Sequence, residues 1–165
     1  MTRVSLWVVV AAIIALTILP FVATFAGDLP DTRFTSPQID KTCTIDTIRT
    51  NDTTARRHAT QKDKDAQLSA YGVKQDHRPD CNGPGQACWE LDDLMPLEVC
   101  GLNVKANLWP MPYFGPCSAK DKDNLENHTK ADLLLGHITL DQAQSRFLSP
   151  DWREEFFKRF EKRCN

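Results

Sequence analysis

The chain has 165 residues, of which 41% are hydrophobic, and 20 Lys and Arg stand against 22 Asp and Glu for a formal net charge of −2. That is room for one compact domain and too little for two ordinary ones. Arg3 is the only charged residue before Asp28, so the other 19 of the 20 basic residues and all 22 acidic ones lie in 28–165; this balance excludes a generically basic nucleic-acid coat and a polybasic membrane-surface binder, but not a phosphodiester enzyme that takes its positive charge from a metal ion.

Val4 to Ala26 is uncharged, broken only by the polar Ser5, Thr17 and Thr24, and is long enough to cross a hydrocarbon core of about 30 Å. It fits a retained transmembrane anchor; with Arg3 as a minimal basic flank and Thr24-Phe25-Ala26 as a weak cleavage site, it also admits a secretory signal. In both cases Arg3 stays on the cytoplasmic side and the remainder is exported, membrane-anchored or secreted. Residues 1–27 are therefore expected to be anchor or signal. Residues 28–42, with Pro30, Pro37 and no apolar periodicity, are expected to be a linker, and 43–165 to be the folded domain. All six cysteines (Cys43, Cys81, Cys88, Cys100, Cys117 and Cys164) fall beyond the apolar run. An even number in a small exported domain reads as up to three disulfides. Connectivity stays open, with Cys81 and Cys88, around a Gly-Pro-Gly turn, the easiest local pair. No C-x-x-C occurs, and His77-x-x-x-Cys81 alone is a weak zinc signal.

Along the domain, Thr42 to Arg49 alternates as a short strand does, while Asn51 to Asp65 is polar and charge-balanced, a loop or an exposed helix start. Ala66 to Tyr71 predicts a helix ending at Gly72. Cys88 to Asp92 alternates apolar with polar, as in a half-buried strand. Ser118 can cap a helix running to Leu135 and stopped by Gly136, and Thr139-Leu140-Asp141-Gln142 is a capping-box pattern that opens a second. Ser149-Pro150 opens a third, whose Trp152, Phe156, Phe157 and Phe160 are expected on one side, with Arg153, Lys158, Arg159, Lys162 and Arg163 spread over the rest among Glu154, Glu155 and Glu161.

One stretch concentrates chemistry. Between Glu90 and Lys105 the charged residues are Glu90, Asp92, Asp93 and Glu98, all acidic. Adjacent carboxylates at a strand end can hold a hard divalent ion; on composition alone they read as ordinary turn residues.

The segments Glu90-Leu91-Asp92-Asp93-Leu94-Met95-Pro96-Leu97-Glu98, Asn107-Leu108-Trp109-Pro110 and Lys122-Asp123-Asn124-Leu125-Glu126-Asn127, then Leu140-Asp141-Gln142-Ala143-Gln144 and Asp151-Trp152, follow one another in a set order. Upstream stand Thr42-Cys43, Asp46-x-Ile48-Arg49 and Gln67-Leu68-x-x-Tyr71-Gly72. Together they resemble a family of exported bacterial and phage proteins built on the HNH-nuclease (ββα-metal) unit, over roughly residues 42–160. The resemblance implies an α+β fold: two short strands around a loop, then a helix, with further helices packed behind and disulfides stapling the whole. It also implies a divalent metal (Mg, Mn, Ni or Zn) and nucleic acid as a partner. In that family the strand ends Asp-His, the Asp on the metal and the His as general base. Asp92 matches the first, and Asp93 stands in place of the second. Asn107 matches the Asn that pins the loop, and Lys130 stands where the helix histidine belongs. His128 and Asn127 are the neighbouring helix residues that would substitute as ligands. An ordinary Asp, with a pKa near about 3.9, is a far weaker base than a His near about 6.5, and losing a general base costs about 10²–10⁴-fold in rate. Three functions follow: a catalytically degenerate HNH-like binding or structural module, an active metal-dependent endonuclease with a rearranged site, or a membrane-anchored, disulfide-stapled interaction module. The protein partner is not legible.

Overall fold

The computed structural model describes residues 29–50, 52–73, 88–148 and 151–162. They form a mixed α+β fold of five helices and one two-stranded antiparallel sheet: α1 (Ile45–Thr50), α2 (Gln61–Ala70), β1 (Trp89–Asp93), β2 (Leu108–Pro112), α3 (Ala119–Leu134), α4 (Leu140–Leu148) and α5 (Trp152–Phe160). Among the described residues no helix is long and apolar enough to cross a membrane; the apolar run of the N-terminus lies outside them.

The first element differs from the sequence expectation. Thr42 to Arg49 was expected as a strand, and α1 is a helix. Thr44 Oγ1 accepts from the Thr47 backbone N–H at 3.2 Å, Asp46 and Arg49 pair at 2.7 Å one turn apart, and Ile48 is buried. The local caps and the ion pair suit a helix, and among the described residues no strand lies alongside to complete a ladder. Elsewhere the punctuation reads through. Thr60 and Asp63 close a capping box on α2, Ser118 and Asp121 one on α3. Thr139 and Gln142 exchange bonds of 2.9 and 3.2 Å at the start of α4, and Gly72 and Gly136 take positive φ where their helices stop. Helix α5 is capped by Asp151, whose carboxylate accepts from Arg153 N; Ser149-Pro150 lies outside the described residues. On α5, Trp152 and Phe156 are buried, whereas Phe157 is 39% exposed and leaves the core face.

The sheet pairs Asp92 with Trp109 and Asp93 with Leu108. Pro110 and Pro112 sit in β2 without loss because each strand of a two-stranded sheet has a free edge. The loop from Leu94 to Asn107 carries two 3-10 turns, Leu97–Val99 and Lys105–Asn107. Helix α3 lies over the sheet's end, and its Ala119, Leu125 and Leu133 join Trp109, Met111, Phe147, Trp152 and Phe156 in the core.

Residues 29–42, expected as a linker, run as a strap along this loop. Ser36 N donates to Ala106 O, Leu102 N to Gln38 O and Asp40 N to Cys100 O at 2.7–2.9 Å. Asp31 N donates to the Tyr71 hydroxyl at 2.9 Å, and Thr35, 2% exposed, donates to Leu108 O at 2.8 Å. These are mostly backbone bonds, which need no apolar periodicity, so the segment's composition conceals them. Cys43 is disulfide-bonded to Cys100 across a separation of 57 residues, worth about 4 kcal/mol in the chain-entropy picture. Cys88 and Cys117 are each disulfide-bonded as well; Cys81, the partner expected for Cys88, and Cys164 lie outside the described residues.

Gly101 follows Cys100, which has φ 69. A Cβ on Gly101 would meet Met95 O at 1.9 Å and Pro96 O at 2.7 Å. Both are backbone atoms of the same loop and have no room to withdraw. Gly101→Ala is therefore expected to lose about 2–4 kcal/mol, read as a fall in the urea midpoint with unchanged slope.

Candidate functional site

The end of β1, the loop and the first two turns of α3 converge on one point. Lys122, on α3, is fully buried. Its Nζ donates to Asp92 Oδ2 at 2.9 Å, to the Asp93 carbonyl at 2.7 Å and to Glu126 Oε1, while the Phe147 ring covers it at 5.7 Å. All three ammonium protons are thus used. Burial alone would push Lys122 down, but the Asp92 and Glu126 carboxylates outweigh it and hold the ammonium above its ordinary value, so it is charged at every accessible pH. Burial pushes the Glu126 carboxyl well above its ordinary value, against the pull of Lys122.

Asp93 is 7% exposed. Asn103 Nδ2 donates to both of its oxygens at 3.2 Å, and Asn107 Nδ2 reaches Oδ1 at 3.3 Å. Burial, with Asp92's charge adding to it, pushes the Asp93 carboxyl up to about 7, against the Asn103 bonds and the Lys122 charge. A carboxyl in this position has the proton affinity of a histidine, which the unperturbed value of an aspartate does not suggest.

Asn107, fully buried, ties the loop together. Its Oδ1 accepts from Met95 N at 2.9 Å and Gln38 N at 3.2 Å, and its Nδ2 donates to Met95 O at 2.8 Å and Leu102 O at 2.9 Å. Asn103 was not singled out in the sequence. Besides its bonds to Asp93, its Oδ1 accepts from Ala59 N at 2.9 Å, so it fixes the carboxyl to the segment ahead of α2. An asparagine at a buried loop position carries no sequence signal of its own.

Solvent reaches the site through a recess of about 70 Å³ bordered by Glu90, Asp92, Asp93, Glu98, Asp123 and Glu126, with Arg57 at its side. The remaining helix candidates are elsewhere. Asn127 is exposed. His128 meets the Phe160 ring edge to face at 5.1 Å and Arg159 at 3.5 Å, so its ring is turned to α5. The Lys130 charge acts on Asp52.

A divalent ion does not fit this donor set at Asp92. The one carboxylate that matches the metal ligand is already bonded to an ammonium, whose buried charge repels a second cation, and among the described residues no three His, Cys, Asp or Glu side chains are placed to hold a metal. No protein-family model, no curated protein and no solved structure matches the chain.

Proposed function

We propose that the chain is an exported, membrane-anchored HNH-like domain in which an internal cation has taken the place of the catalytic metal, leaving a binding or structural module. The observation that carries this reading is Lys122: a buried ammonium bonded to Asp92, to Glu126 and to the carbonyl of Asp93, the position of the missing general base. The strand–loop–strand–helix order supports the scaffold, and Asn107 performs the loop-pinning that the family resemblance assigns to it. The carboxylates around the recess repel a phosphodiester backbone, which supports a partner other than nucleic acid.

A second reading rests on Asp93. With its carboxyl pushed up to about 7, it has the proton affinity that a general base needs at neutral pH, which supports an endonuclease with a rearranged site. The deciding assay is plasmid nicking by residues 28–165 with magnesium, manganese, nickel and zinc, beside Asp92→Ala. No nicking above the metal blank is expected with any of the four. Cleavage that Asp92→Ala abolishes would overturn the degenerate reading and establish the second.

A further inference from the structure

We propose that the domain is held with one fixed face against the bilayer instead of ranging on a tether; this rests on the reading of Val4 to Ala26 as a retained anchor. The strap carries the inference. Only Gly27 and Asp28 separate the apolar run from Leu29, which already packs against the core. At Asp31 the backbone is bonded to Tyr71, at Ser36 to Ala106, at Gln38 to Asn107 and Leu102, and at Asp40 to Cys100; the Cys43–Cys100 disulfide locks its end.

Three peptide steps from Ala26 to Leu29 reach at most about 10 Å, and the headgroup zone on each side of the hydrocarbon is about 5–8 Å deep. Leu29 therefore enters the domain at or just above the headgroups. A stalk of residues 28–42, had it been free, would have allowed about five to six times that reach. The surface brought to the bilayer is the start of the strap with the C-terminal end of α2, which Tyr71 joins to it through its hydroxyl on Asp31 N and its ring on Phe34 at 5.4 Å. Thr32 and Arg33 are exposed, and the Arg33 guanidinium, paired with the Asp31 carboxylate, lies 5.1 Å over the Phe34 ring, an aromatic with a polar tip of the kind that settles at membrane interfaces. The occupant of this face is the phospholipid bilayer in which the chain's own anchor sits. The partner of the module is then drawn from whatever lies within one domain's depth of that surface.

The test uses the full chain in membranes, with a benzophenone amino acid at Thr32 or, for comparison, at the exposed Lys158 on α5, a helix packed on α3 and α4. After irradiation, phospholipid adducts at position 32 are expected to exceed those at 158 about fivefold, since a headgroup layer this thin reaches only the apposed face. Inserting 12 Gly/Ser residues between Gly27 and Asp28, about 20 Å of added mean reach, is expected to bring position 32 down to the level of 158. The insertion lies outside every strap contact among the described residues, so loss of folding does not explain that fall. Alkaline carbonate extraction separates the failures. A chain released by carbonate overturns the anchor reading and this proposal with it; a carbonate-resistant chain whose two positions label equally, or whose labelling ignores the insertion, overturns the apposition alone.

Discussion

Lys122→Met is expected to lose about 3–5 kcal/mol of unfolding free energy at pH 7, because it removes the cation and leaves Glu126 buried with an uncompensated charge. The loss shrinks as pH falls, because Glu126, already displaced upward by burial, takes a proton instead. The double variant Lys122→Met/Glu126→Leu is expected to recover most of the deficit, since apolar groups of similar volume replace a buried ion pair at little cost. Asp92, with 14% of its side chain exposed, keeps its contact with water at the recess. A double-mutant cycle in urea at pH 7 measures the coupling; a single-variant loss below about 1 kcal/mol would show that the ammonium is not the cation the carboxylates depend on.

The second large effect is an inverted pH dependence. Burial pushes the Asp93 carboxyl up to about 7 in the folded chain, against the ordinary aspartate value of 3.8 in the unfolded one. Between those values the folded chain binds the extra proton, so the contribution is complete below pH 3.8 and is lost as pH rises through about 7. The full displacement corresponds to about 4 kcal/mol, of which about 2–3 kcal/mol falls between pH 5 and 7.5. Glu126, also raised, acts in the same direction. Asp31, Asp40, Asp52, Asp63 and Asp151 are displaced the other way, but their contributions are lost only as pH falls below the ordinary carboxylate range. Stability in urea is therefore expected to be greater at pH 5 than at pH 7.5, and Asp93→Asn, which cannot titrate, should flatten the difference. A wild-type curve that rises with pH over this window would contradict the burial of Asp93.

What the sequence made legible is mostly punctuation. The caps at Ser118 and Thr139, the stops at Gly72 and Gly136 and the alternation of β1 depend on local chemistry that short windows contain. Thr42–Arg49 misled because its threonines and isoleucines favour a strand as residue types, while Ile45 and Ile48 are spaced one helical turn apart and the Thr44 hydroxyl caps. The strap was hidden because backbone bonds to a distant loop leave no pattern in side chains. Only the widely spaced Leu29, Phe34 and Ile39 hint at its packing. At the site, Asp92, Asp93 and Asn107 were nominated and are brought together, whereas His128 and Asn127 are not. Lys122 stands in a segment that carries the resemblance, which assigns it no role. A signal existed: Ala119, Lys122, Leu125, Glu126, Thr129 and Leu133 are the buried residues of α3 and recur at helical spacing. A Lys and a Glu four residues apart on such a stripe predict a buried pair.

The proposal that Lys122 takes the place of a metal is tested most directly by calorimetry, titrating manganese and nickel separately into residues 28–165 at pH 7. No stoichiometric binding is predicted up to about 1 mM metal, where any site would contribute less than about 4 kcal/mol, with Asp92→Ala giving the same baseline as the natural sequence. A single saturable site that disappears in Asp92→Ala would contradict the account, because Asp92 would then hold a metal ion despite the ammonium beside it.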